Sequence, residues 1–227
     1  MSHRILVGCL LLGYAAAWAQ SGTVSGELKK WHKVTIDFQG PSLSESDNPS
    51  PFLEYRLDVT FVNGADTFVV PGYFAADGNA GQTHATSGNV WRAHFAPNAT
   101  GTWTYEASLR QGTNIITNDA PGAGSGVSFD GDTGSFEIGA TDKSGRDFRG
   151  RGLLEYVGGH YLQFAETGEY FLKQGADAPE NFLAYRGFDG SFKTDGVSDN
   201  RIKAWSAHVV DWNTGDPTWQ TTKGKNI

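Results

Sequence analysis

The sequence predicts a mainly β chain built around an antiparallel β-sandwich. Apolar and polar residues alternate over most of the span from about residue 30 to 140. Turn-forming pairs recur between the alternating runs. The composition agrees: 30 glycines in 227 residues and 13% aromatics, with few long Leu/Ala/Glu/Lys runs, suit short strands joined by turns.

In His32 to Phe38, positions His32, Val34, Ile36 and Phe38 share one face, and Lys33, Thr35 and Asp37 take the other. In Leu53 to Phe61, Leu53, Tyr55, Leu57, Val59 and Phe61 alternate with Glu54, Arg56, Asp58 and Thr60. Trp103, Tyr105, Ala107 and Leu109 alternate with Thr104, Glu106 and Ser108. A period of two gives half-buried strands with one wet face, which suits antiparallel sheets. Shorter strands are predicted at Thr67–Val70, Val90–Phe95, Asn114–Ile116, Gly126–Phe129 and Ser135–Ile138. Between them lie Asn63-Gly64, Asp77-Gly78, Pro97-Asn98, Pro121-Gly122 and Asp130-Gly131, all turn formers. About eight short strands spaced in this way predict a sandwich over residues 25–140. The tryptophans at 31, 91 and 103 fall in these patterns and are predicted to be core. Tyr73 and Phe74, beside Pro71-Gly72, are divided between exposed surface and core.

Residues 1–19 read as an export signal. Arg4 precedes an apolar run from Ile5 to Ala17, and Ala17-Trp18-Ala19 offers small residues for cleavage before Gln20. The run is too short to favour a membrane span, so none is expected after cleavage. Leu6-Val7-Gly8-Cys9 is a weaker match to a lipoprotein box. A secreted or periplasmic location follows. Cys9 and Met1 are the sole cysteine and methionine, so the mature chain would hold no disulfide and no thiolate metal site. The histidines show no ligand spacing on one helix, so neither a metal nor another cofactor is expected. A formal net charge of −7 disfavours nucleic acid, whose phosphates need cationic neutralisation.

Residues 139–151 replace the alternation with Gly, Asp, Lys, Ser and Arg and mark a boundary. Beyond it, Tyr161–Phe164 and Tyr170–Lys173 flank Glu166-Thr167-Gly168 as a hairpin. Ser198–Trp212 has partly helical spacing.

Three stretches carry a family resemblance. They are WHKVTIDFQGP at Trp31–Pro41, NPSPFLEYRLDVTFVNG at Asn48–Gly64 with FVVPGYFAADGN at Phe68–Asn79, and VWRAHFAPNATGTWTYEASL at Val90–Leu109. Together they resemble the DUF5060 family, an immunoglobulin-like module found ahead of glycoside-hydrolase barrels. FRGRGLLEYVGGHYLQFAETGEYFLKQGADAPENFLAY at Phe148–Tyr185 is similar to the barrel entry of the same proteins. The resemblance implies an immunoglobulin-like sandwich followed by a (β/α)8 barrel that docks against it, in a secreted enzyme acting on a polysaccharide or oligosaccharide. A whole barrel needs about 250 residues, and fewer than 90 follow the boundary. The expectation is therefore an incomplete barrel start over residues 148–227, in a chain truncated before its catalytic carboxylates; the catalytic residues stay unknown.

If Tyr170–Lys173 is the first barrel strand, Asp177, Glu180 and Asn181 follow it on the active-site face, where they could bond sugar hydroxyls. Alternatively, Asp177 and Glu180 cap a short helix with Pro179 in its first turn. Asp130-x-Asp132-x-Gly134 resembles half a calcium loop but lacks the later glutamate, and a turn explains it as well. Besides the hydrolase, three non-catalytic roles remain open for the sandwich: carbohydrate binding, structural support of the barrel, and adhesion or surface assembly.

Overall fold

A computed structural model of the protein describes residues 22–120, 122–173, 184–188, 202–216, 218, 220 and 222–225. The export signal and the trio Asp177, Glu180 and Asn181 lie outside the described residues.

Residues 22–139 form a sandwich of two antiparallel sheets. The first sheet contains β1 (Thr23–Gly26), β2 (Val34–Ser44), β6 (Ser87–Phe95) and β5 (Tyr73–Phe74), in that spatial order. The second contains β4 (Asp66–Pro71), β3 (Tyr55–Asn63), β7 (Gly101–Gln111) and β8 (Ser125–Gly126), with β9 (Thr133–Ile138) also paired to β7. Alternation sets the inner faces. Val34, Ile36 and Phe38 meet Trp91, Ala93 and Phe95 within the first sheet, while Tyr55, Leu57, Val59 and Phe61 meet Trp103, Tyr105, Ala107 and Leu109 within the second. Between the layers, Phe61 stacks on Phe95 at 4.2 Å, and Phe95 meets Trp103 edge-on at 4.9 Å. Offset and edge-on ring contacts are favoured because they align the negative face of one ring with the positive edge of another. Asn63 and Asp66 close a two-residue hairpin, with Gly64 supplying the left-handed backbone it requires.

The predicted strand at Asn114–Ile116 is instead a single 3-10 turn at Ile115–Thr117. The strand before it stops at Gln111, Asn114 adopts the left-handed conformation within a turn, and Ile115 is buried. Near residue 126 only Ser125–Gly126 pairs as a strand. Trp31 is core as predicted but lies in a turn before β2, not in a strand. Leu53, read as an inward strand position, precedes β3 and is exposed.

After the sandwich, β10 (Leu154–Tyr156), β11 (Leu162–Phe164) and β12 (Tyr170–Phe171) form an antiparallel meander. The predicted hairpin around Glu166-Thr167-Gly168 is its second turn. A (β/α)8 strand runs parallel to its neighbours; among the described residues β12 pairs with β11 and antiparallel to it, and no parallel barrel pairing of strands is seen. In the predicted helical stretch, the described part holds a 3-10 segment at Ser206–Asp211.

Candidate functional site

The segment that follows β1 meets the chain where it leaves the sandwich after β9. The backbone N–H of Lys30 donates to the Gly139 carbonyl, and that of Gly139 donates to the Leu28 carbonyl, both at 2.9 Å. Leu28 and Trp31 carry left-handed backbones, with φ of 50° and 67°. Such conformations cost non-glycine residues energy and persist where surrounding contacts hold them. Here the Trp31 N–H donates to the Pro97 carbonyl at 2.8 Å, and the indole is buried at 7% exposure.

That indole is the centre of a seam between the sandwich and the meander. Its Nε1–H donates to Glu166 Oε2 at 2.8 Å, and Lys30 Nζ reaches the same oxygen at 2.5 Å. These bonds from Lys30 and then Trp31 hold the Glu166 carboxyl below its ordinary pKa. Gly152 faces the indole with φ of +90°; a Cβ there would lie 2.7 Å from the backbone nitrogen of Glu166 and 3.2 Å from Trp31 Cε2. Glycine is the residue that permits both the backbone angle and the approach.

A second cluster extends the seam. His32 is 1% exposed, with Nδ1 2.6 Å from Glu27 Oε2 and Nε2 2.9 Å from Thr141 Oγ1. An ionised carboxylate only accepts, so Nδ1–H is the donor to Glu27. Burial pushes the Glu27 carboxyl up, but hydrogen bonds from His32 and Lys143 outweigh this and keep it low. Lys29 and Lys143 hold the Asp142 carboxyl down at about 2. Asp147 is likewise about 2, lowered by Arg149, whose Nη1 also approaches Glu27 at 3.4 Å. Glu27, His32 and Asp142 bring possible ligand atoms within 4.8 Å of one another. Those atoms are already engaged: both imidazole nitrogens are bonded, and lysine ammonium groups sit on both acids. The donor set serves ion pairing.

What the seam can do chemically follows from these settings. A general acid needs a raised carboxyl pKa, yet Glu27, Asp142, Asp147 and Glu166 are all held in the anionic form. The bonds and ion pairs of the seam fix the geometry of the segment behind the sandwich against it. Sequence reasoning placed Trp31 in the core but gave Glu166 only a turn role, and it singled out neither Glu27 nor Asp142. Lys30 and Trp31 meet Glu166 across more than 130 positions, a separation no local pattern encodes.

The calcium-like segment resolves into a turn. Asp130 accepts bonds from Ser108 Oγ at 2.9 Å and Arg110 Nη1 at 3.2 Å. Asp132 is 5% exposed, its Oδ2 is buried without a hydrogen-bond partner, and burial raises its pKa. A raised acid binds more protons in the folded state than in the unfolded state. Its contribution to stability therefore falls as pH rises above the unfolded value of about 3.9. Asp132→Asn is expected to stabilise the chain by about 1 kcal/mol at pH 7, and this gain should vanish near pH 3.5. Urea unfolding of both proteins at the two pH values checks it; a gain independent of pH would contradict the cause given. Of the two aromatics at the loop, Tyr73 is exposed and Phe74 is buried.

Fold and seam together define the class: an antiparallel β-sandwich module bonded to the segment that follows it. Residues 27–110 match the family model of DUF5060, a domain of unknown function. That stretch of the chain is a DUF5060 domain, in agreement with the motifs at Trp31, Asn48 and Val90. A solved structure described as a putative glycoside hydrolase from Bacteroides vulgatus ATCC 8482 is similar at 23% identity, with a TM-score of 0.40. The match covers 63% of this chain and 20% of the other, so the present chain spans about a fifth of that protein's length. No curated protein matches the chain. Among the described residues, no helix is long and apolar enough to cross a membrane.

Proposed function

We propose that this chain is the N-terminal part of a secreted glycoside hydrolase that degrades polysaccharides, and that its sandwich is a non-catalytic module fixing the orientation of the region behind it. The observation that carries the module's role is the seam, in which Trp31 and Lys30 converge on Glu166. The glycan class rests on the resemblance of Trp31–Leu109 to modules preceding hydrolase barrels. In this reading the meander is an entry element, and a (β/α)8 barrel with its two carboxylates is built from later residues. Leu153, Leu154, Val157, Leu162 and Leu172 are exposed in and around the meander, and Tyr156 is 75% exposed. An apolar surface of this kind suits an element that packs against further protein.

Two measurements test the proposal. The first is release of reducing ends from a polysaccharide panel by the purified chain and by the product of the gene's entire open reading frame. Hydrolysis by the longer product alone is expected; appreciable hydrolysis by the chain itself would overturn the non-catalytic role. The second is trypsin digestion at Lys143, Arg146, Arg149 and Arg151, which surround the seam. Glu166→Ala should accelerate these cuts about tenfold, because opening sets the rate of cleavage. Equal rates would remove the seam from the explanation.

A further inference from the structure

We propose that the outward face of the first sheet binds a neutral polysaccharide chain on a platform of Tyr73, Arg92, Asp37 and His94. This inference stands apart from the orienting role of the sandwich and does not need the barrel.

Alternation places these residues together. While Val34, Ile36 and Phe38 point inward, Asp37 lies on the other face, as does Thr35, which is itself buried there; likewise Arg92 and His94 face away from Trp91, Ala93 and Phe95. Register then aligns Asp37 with Arg92, Arg92 with Tyr73, and Thr35 with His94. The row crosses three strands, about 10 Å, enough for more than one sugar ring. β5 is two residues long and stands at the edge of the sheet, which leaves Tyr73 46% exposed.

The groups on this face are held in place. Arg92 Nε and Nη2 bind the two Asp37 oxygens at 2.6 and 2.7 Å, and this bidentate pair raises the pKa of the guanidinium above its already high value. The Tyr73 hydroxyl lies 3.1 Å from His94 Nε2, and His94 Nδ1 lies 2.9 Å from Thr35 Oγ1. Burial, followed by the charges of Lys33 and Arg92, lowers the pKa of His94, so the imidazole is uncharged at neutral pH. An ion pair needs neither an exposed aromatic ring beside it nor a histidine that fixes that ring.

A sugar uses what the face offers. Its C–H face is apolar and can lie on the tyrosine ring. Its hydroxyls both donate and accept, and so can bond a carboxylate and a guanidinium side by side. Arg92 is matched by Asp37, so the centre of the platform carries no net charge and has no preference for an anionic ligand. Lys33 is the exposed cation beside it. Groups fixed before binding lose little entropy on binding.

Affinity electrophoresis of the chain tests the proposal, using gels that contain neutral polymers (agarose, a β-glucan, a galactan) or an acidic one (alginate). At least one neutral polymer is expected to retard the chain. Tyr73→Ala should weaken that binding about tenfold, Tyr73→Phe should keep most of it, and Asp37→Asn should weaken it. Melting temperatures of the variants separate lost binding from lost folding. No retardation by any neutral polymer, retardation by alginate alone, or a folded Tyr73→Ala that binds as well as wild type would each overturn the proposal. Hydrolysis by a longer gene product bears on the orienting role and leaves this test unaffected.

Discussion

Replacing Trp31 with alanine is expected to destabilise the chain by about 3–5 kcal/mol, the range for truncating a buried aromatic, and to free the meander from the sandwich. The side chain is nearly fully buried, its N–H reaches Glu166, and Gly152 is shaped to its surface. Alanine would leave a cavity at the seam and remove one of the two donors from the Glu166 oxygen. It would not relieve the backbone, because a φ of 67° is unfavourable for alanine as well. Trp31→Phe separates the contributions: it keeps most of the bulk and loses the hydrogen bond, for about 1 kcal/mol. Urea unfolding gives the stabilities, and hydrogen exchange at residues 140–171 reports the release. Equal losses for the two variants would mean that the indole bulk does not hold the seam.

Trp103→Ala is expected to cost a similar 3–5 kcal/mol, with the damage confined to the interior of the sandwich. Trp103 is 0% exposed, packs edge-on against Phe95, and donates from Nε1 to the Ala99 carbonyl at 3.1 Å. Removing it opens the space between the two sheets and breaks no seam contact. Its neighbour Thr104 points outward, and Thr104→Ala should stay within about 0.5 kcal/mol. Thermal unfolding of the pair checks the alternation directly; comparable losses at 103 and 104 would contradict the assignment of faces.

The sandwich was legible in the sequence where its information is local. In β3 and β7 the parity of each residue decides its face, and Tyr55, Leu57, Val59 and Phe61 lie inward as their alternation requires. Asn114–Ile116 misled because three residues are too few to distinguish a strand from a turn. Tyr170–Lys173 read as a strand, but alternation within one strand says nothing about the direction of its neighbour. Trp31 was recognisable as core; its turn was not, since a left-handed backbone is not expected of a large side chain. The seam and the Arg92–Asp37 pair depend on which distant strands come together. Pairs such as Thr35 with His94 join positions 59 apart and appear only once the sheet is assembled.

The backbone contact between residues 28–30 and 139 has a mechanical consequence. Tension applied along the main chain near Lys29 and beyond Gly139 would cross two short N–H···O links at one corner, without running through the hundred or so residues between them. The strands from β2 to β9 then hang from the load path as a side branch. Softening its interior would change how easily it melts while leaving the force-bearing junction intact.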